Sequence, residues 1–132
     1  MSNPTAGYSG KPLADKLGIK PGLKVYVDGA PPDLALDPAT YVTRMPKQAD
    51  IVLLFCRDRA RLDKRLRTVV DHTVTNGMVW VCWPKKSSGV RTDLTENVVR
   101  DVALTTGVVD VKVAAVDETW SGLKLVRRLA DR

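Results

Sequence analysis

Two unbroken apolar runs with a helical stretch between them constrain this chain more than any other feature. Asp50 to Cys56 reads DIVLLFC, and Gly77 to Trp83 reads GMVWVCW. Neither run alternates polar with apolar residues, so neither strand can leave one face in water. Each reads as a strand covered on both faces, the mark of a parallel sheet with helices packed on it. Between them, Leu62, Leu66, Val69 and Val70 recur at helical spacing. A helix opening at Arg57 or Asp58 and running to about Asp71 would bury that stripe. Strand, helix, strand with a short connection is a right-handed crossover unit.

The remaining elements extend this unit. Pro12 to Leu17 makes one or two helical turns closed by Gly18. Leu23 to Val27 is a short strand ending at Asp28-Gly29, and Ala30-Pro31-Pro32 breaks it. Asp33 to Leu36 reads as a helical turn and Thr40 to Thr43 as a short strand. Asp93-Leu94-Thr95-Glu96 has the D-x-x-E spacing of a capping box. It opens a helix to about Thr105 that buries Leu94, Val98, Val99 and Val102 and stops at Gly107. Val109 to Val116 and Leu123 to Arg128 are strands joined by a turn at Asp117 to Gly122. Together they make an antiparallel hairpin with Leu123 and Leu125 on one face. The expected architecture is α/β: a single Rossmann-like domain over residues 12–132, with a mainly parallel sheet and a C-terminal antiparallel hairpin. Residues 1–11, rich in Gly, Ser and Pro, read as a flexible N-terminal arm.

With 132 residues and 44% hydrophobic content the chain can bury one sizeable core. A domain of this size hides roughly two-thirds of its unfolded surface. Twenty-one Lys and Arg against fifteen Asp and Glu leave a net charge of +6, which permits an anionic partner without requiring one. The two cysteines, Cys56 and Cys82, lie in apolar runs and behave as small buried hydrophobes. With His72, the single histidine, they fall short of the four ligands a structural zinc site needs. No stretch approaches the ~18 apolar residues of a membrane span. The N-terminus lacks the apolar core of a signal peptide, so the expected location is cytoplasmic. No Ser–His–Asp or Cys–His arrangement emerges, and no catalytic residue is assigned.

Three regions carry polar chemistry. The foremost is the loop after the second apolar run. Trp83 stands at the strand end, followed by Lys85, Lys86, Ser87, Ser88, Gly89, Arg91 and Thr92. In an open α/β sheet, ligands bind beyond the carboxyl ends of the strands. Cations, hydroxyls and a glycine ahead of a helix N-terminus suit a phosphate-bearing small molecule or nucleotide. A solvated loop kept soluble by its lysines has the same composition. Period two sends Trp80 and Trp83 to opposite faces, which leaves Trp80 to the core. The next region is the hairpin, where Asp117, Glu118, Thr119, Trp120, Ser121 and Lys124 gather. They would support the loop or simply turn the chain. The last is Tyr8, Ser9 and Lys11 in the N-terminal arm. The helix face bearing Arg59, Arg61, Lys64, Arg65 and Arg67 offers a basic stripe to RNA or an acidic protein, although a solvated face is the simpler account.

The stretch LADKLGIKPGLKVYVDGAP resembles the opening of Rossmann-like methyltransferases, and VKVAAVDETWSGLKLV resembles their closing hairpin. That resemblance implies a first strand ending in an acidic, glycine-rich turn that holds S-adenosylmethionine. Here only Asp28-Gly29 matches it, Pro31 and Pro32 remove two N–H donors, and Arg44 stands where a ribose-binding acid is wanted. S-adenosylmethionine in that mode is therefore not expected, and a methyltransferase with a degenerate cofactor loop remains the enzymatic alternative. More of the chain is similar to a small family of uncharacterised bacterial proteins, through the phrases AGYSGKPL, WPKKSSG, TDLTE and VDETWSGLKLV. That family implies a Rossmann-like fold and no established activity.

Overall fold

The computed structural model describes residues 12–131. Five strands form one sheet in the order β1-β2-β3-β5-β4. They are β1 (Val25–Asp28), β2 (Ala49–Phe55), β3 (Thr73–Pro84), β4 (Val108–Ala115) and β5 (Trp120–Arg127). β1, β2 and β3 run parallel, and β5 joins β3 antiparallel. The hairpin therefore inserts its second strand next to β3 and leaves β4 at the margin. Single α/β domain, parallel N-terminal half and antiparallel C-terminal hairpin all agree with the sequence reading.

The apolar runs are buried as their composition demands: every residue from Ile51 to Cys56 is at most 2% exposed. On one face, α2 (Arg59–Asp71) and α3 (Glu96–Leu104) press Leu62, Leu66, Val69 and Val99 onto Val52, Leu54, Val81 and Leu123. On the other, α1 (Leu13–Leu17) and the chain around Leu36 cover Val27, Leu53, Phe55, Trp80 and Trp120. Trp83 belongs to the first layer and Trp80 to the second, so the period-two assignment holds. Leu123 and Leu125 share the first layer, also as expected.

Several boundaries differ, each for a local reason. β3 begins at Thr73, directly after His72 caps α2, because the buried Thr73 hydroxyl donates back to the Val69 carbonyl at 2.6 Å. Its register then slips between Thr73 and Met78, which hides the extra strand residues from a period-two reading. Gly122 lies inside β5 rather than in the turn. A Cβ there would come within 3.2 Å of the Trp80 ring, so the strand needs a glycine to let that ring pack. The helical turn expected at Asp33 to Leu36 forms instead at Pro38–Thr40, where the Asp37 side chain accepts from the Ala39 N–H. The short strand at Thr40 to Thr43 reduces to one bridge, Val42 beside Tyr26, which lines the outer edge of β1. His72 is half-buried rather than a surface residue, its Nδ1 lying 3.1 Å from the carbonyls of Pro46 and Lys47.

Cys56 and Cys82 are both free and buried, on opposite faces of the sheet. Burial pushes the Cys56 thiol up to about 12 and raises Cys82 as well. Both thiols should resist Ellman's reagent at pH 8 until the protein unfolds, and rapid labelling of the native protein would contradict this packing. A raised folded-state value favours folding below the ordinary thiol range, and that contribution fades as pH climbs above it. The double variant Cys56→Ala/Cys82→Ala should accordingly lose less melting temperature than the wild type between about pH 9 and 11.

Candidate functional site

The carboxyl ends of β1, β2 and β3 open on the same edge, and the loop after β3 builds a groove of about 560 Å³ there. Trp83, Pro84, Val90 and Leu94 line it, together with Ser121 of β5. Lys85, Lys86 and Arg91 surround it. Among the described residues, none of these three cations has a carboxylate within 4.0 Å. Glu96, on the rim, is held by Arg100, which also grips Asp110. The local balance is therefore positive. Thr92 and Thr95 add hydroxyls whose oxygens accept from the Leu94 and Val98 N–H groups at 3.0 and 3.2 Å. Each hydroxyl keeps a proton it can donate.

The loop holds its shape by hydrogen bonds of its own. Lys85 N–H donates to the Thr119 carbonyl at 2.7 Å, pinning the strand end to the hairpin turn. The Ser88 hydroxyl donates to the Lys85 carbonyl at 2.6 Å and accepts from Val90 N–H at 3.1 Å. Gly89 supplies the left-handed step, φ 78°, that closes the 3-10 turn Lys86–Ser88. So Ser88 and Gly89 shape the loop, Ser87 is exposed beside them, and none of the three lines the groove. Trp83, Lys85, Lys86, Arg91 and Thr92 do line it. Pro84, Val90, Leu94, Thr95 and Glu96 are lining residues the sequence reading missed. An apolar Val90 set inside a polar loop was the available signal for them.

Asp93 corrects a further expectation. It does not cap α3; Thr95 does. Asp93 reaches across 34 residues to accept from the Arg59 N–H at 2.8 Å, at the start of α2. Asp58 accepts from Arg61 N–H at the same helix end. Two carboxylates thus satisfy N–H groups that would otherwise attract an anion.

The hairpin residues mostly serve the turn. Asp117 Oδ1 accepts from the N–H groups of Thr119 and Trp120 at 2.8 and 2.7 Å. Trp120 is buried against Phe55, edge to face at 5.1 Å, with the Arg57 guanidinium 5.8 Å from its ring centre. Glu118 is exposed, and Lys124 sits opposite Trp80 in the sheet. Only Ser121 of this set lines the groove, because alternation turns it away from Trp120. Tyr8, Ser9 and Lys11 lie outside the described residues.

The turn after β1 is occupied by arginine. Arg61 Nη2 donates to Asp28 Oδ1 and Arg65 Nε to Asp28 Oδ2 at 2.8 Å. Arg61 Nε also holds the Phe55 carbonyl at 2.9 Å. A Cβ on Gly29 would lie 2.7 Å from the Arg61 guanidinium, so that side chain fills the space a glycine here would leave for a ligand. Arg67 donates to the Thr105 carbonyl and Arg59 pairs with Asp63. Much of the basic helix face is thereby spent on the protein itself. Among the described residues no group of three or more His, Cys, Asp or Glu side chains could hold a metal ion, and no helix is long and apolar enough to cross a membrane.

A five-stranded α/β sheet closed by an antiparallel hairpin, with its groove at the strand ends, is a methyltransferase-like fold, and solved structures agree. The SAM-bound magnesium protoporphyrin IX methyltransferase (ChlM) of Synechocystis PCC 6803 superposes with TM-score 0.59 at 10% identity, over 88% of this chain and 74% of that one. The ribosomal protein L11 methylase of Lactobacillus delbrueckii subsp. bulgaricus gives 0.56 at 10%, over 88% and 75%. TnmH gives 0.55 at 18%, over 94% and 48%. The chain spans 51% of ChlM in its SAH-bound structure. At these identities the likeness is one of fold. The chain belongs to the family described as Protein of unknown function (DUF3052), which it matches over residues 42–129. No curated protein matches it.

The fold raises the question of S-adenosylmethionine. The residues of the β1 turn do not fit that cofactor in the mode the methyltransferase resemblance implies. Arg61 fills the space beside Gly29, both oxygens of Asp28 are engaged by arginines, and Pro31 and Pro32 bring no N–H.

Proposed function

We propose that this protein binds a phosphate-bearing small molecule in the groove at the end of β3. The observation that carries this reading is that Lys85, Lys86 and Arg91 all line one groove. These three cations without carboxylate partners face a groove of ligand size. Thr92, Thr95 and Ser121 would orient the anion by donated hydrogen bonds. Among the residues lining the groove no nucleophile with an adjacent base is recognised, and the reading proposed is one of binding. A cytoplasmic setting goes with two cysteines kept free and buried.

Isothermal titration with pyrophosphate and with ATP tests it. The wild type should bind one of them. The triple variant Lys85→Ala/Lys86→Ala/Arg91→Ala should bind at least about tenfold more weakly, since each charge-assisted hydrogen bond contributes about 1.5–3 kcal/mol. Equal binding by the two proteins, or none by the wild type, would sink the proposal.

Methyl transfer is the competing reading, and the fold supports it. It requires S-adenosylmethionine to settle where Arg61 lies. Binding of that cofactor to the wild type with a micromolar dissociation constant in calorimetry would favour it over the anion reading.

A further inference from the structure

Resting on the anion-binding reading of the same groove, we infer that its ligand carries an apolar or aromatic body behind its charge, as an aryl or nucleoside phosphate does, and is not a bare phosphate. The reason lies in how the loop spends its residues. A pocket for a naked anion is best built from backbone N–H groups and serine hydroxyls closing around it. Here the Ser88 hydroxyl is committed at both donor and acceptor to the loop's own backbone, and Gly89 only turns the chain. At the neighbouring helix α2, Asp58 and Asp93 already satisfy the first N–H groups.

What that folding presents to the groove instead is Val90, 37% exposed in an otherwise polar loop. It lines the groove together with Trp83, Pro84 and Leu94. Val90 brings apolar surface to a cationic groove, and the apolar part of a ligand would gain by covering it. The cations then sit on the rim of an apolar slot rather than around a polar nest. Such a slot grips one end of an amphipathic anion by charge and the rest by contact. The groove volume, about 560 Å³, far exceeds what a phosphate ion needs and suits a body the size of a nucleoside.

Titration of phenyl phosphate, inorganic phosphate and phenol at constant ionic strength separates the contributions. Phenyl phosphate should bind about tenfold more tightly than inorganic phosphate, and phenol should not compete. Val90→Ser, a change in the apolar lining of the groove, should bring the affinity ratio of phenyl phosphate to inorganic phosphate down toward one. Equal affinity for the two phosphates would overturn this inference and leave the anion site standing. Phenol binding as well as phenyl phosphate would overturn it by showing the cations idle. No binding of either phosphate at millimolar concentration would overturn both this inference and the anion reading. An advantage that survives Val90→Ser would also count against it, because the apolar wall would then lie elsewhere.

Discussion

Replacing Trp80 by alanine is expected to destabilise the protein by about 3–5 kcal/mol, the range for deleting a large buried aromatic side chain. Trp80 is among the largest fully buried side chains, at 0% exposure, and lies where three parts of the chain meet. It leaves β3 toward α1, donates from Nε1 to the Leu17 carbonyl at 3.1 Å, and packs into the space that Gly122 leaves open. The Lys112 ammonium lies 6.0 Å from its ring centre and helps cover the far side. Alanine would open a cavity in all of these contacts at once. Trp80→Phe should cost appreciably less, because a ring still fills most of the space and only the hydrogen bond is lost outright. Urea unfolding of the three proteins measures this. A loss below about 1 kcal/mol for the alanine variant would show that α1 does not pack as described. Gly122→Val tests the same contact from the other side and should also destabilise, by overpacking against the Trp80 ring.

Asp28→Ala should cost about 2–3 kcal/mol. Its carboxylate is 12% exposed and takes both Arg61 and Arg65, whose side chains are 36% and 26% exposed. Removing one member of a fully buried pair costs more, because the charge left behind has no water. Partial access of water to both arginines lowers the figure here. Tyr26 makes the cluster larger: Arg65 donates to its hydroxyl at 3.4 Å, and burial followed by the nearby Asp28 raises that phenol. Arg65→Ala should lose less than Asp28→Ala, since Arg61 would still hold the carboxylate. A double-mutant cycle between Asp28 and Arg65 should show clear coupling, and additive losses would mean the cluster is not a unit. The consequence reaches beyond stability. The methyltransferase resemblance implies a cofactor held from the end of the first strand, and here that acid ties β1 to α2.

Local patterns made most of the scaffold legible. DIVLLFC and GMVWVCW read as strands covered on both faces, and the Leu62, Leu66, Val69, Val70 spacing reads as helical. Each of those signals is complete within a dozen residues. Parity alone sent Trp80 and Trp83 to different layers. For Asp93 and Gly122 the misreading has one cause, a partner far away in the chain; for Ser88 the partners lie in its own loop. Asp93 has the spacing of a cap for the helix that follows it, but the N–H it meets belongs to Arg59. Gly122 looks like a turn glycine, but what it accommodates is Trp80. Ser88 looks like a ligand donor, but the fold of its own loop consumes it.

The sheet order explains why such partners were out of reach. Hydrophobic periodicity states which residues must leave water, and so the elements and their buried faces follow from it. It carries no information on which strand lies beside which, because many pairings bury the same faces. Only the assembled order β1-β2-β3-β5-β4 puts α2 over the end of β1, so that two arginines meet Asp28. The same assembly sets β5 beside β3 and brings Ser121 to the groove. The charges of the loop after β3 could be read from its residues. That they surround a groove walled by Val90, Leu94 and Trp83 is a property of the packed molecule, because that wall draws on a strand end, a loop and the approach to α3, which touch only once the sheet has closed.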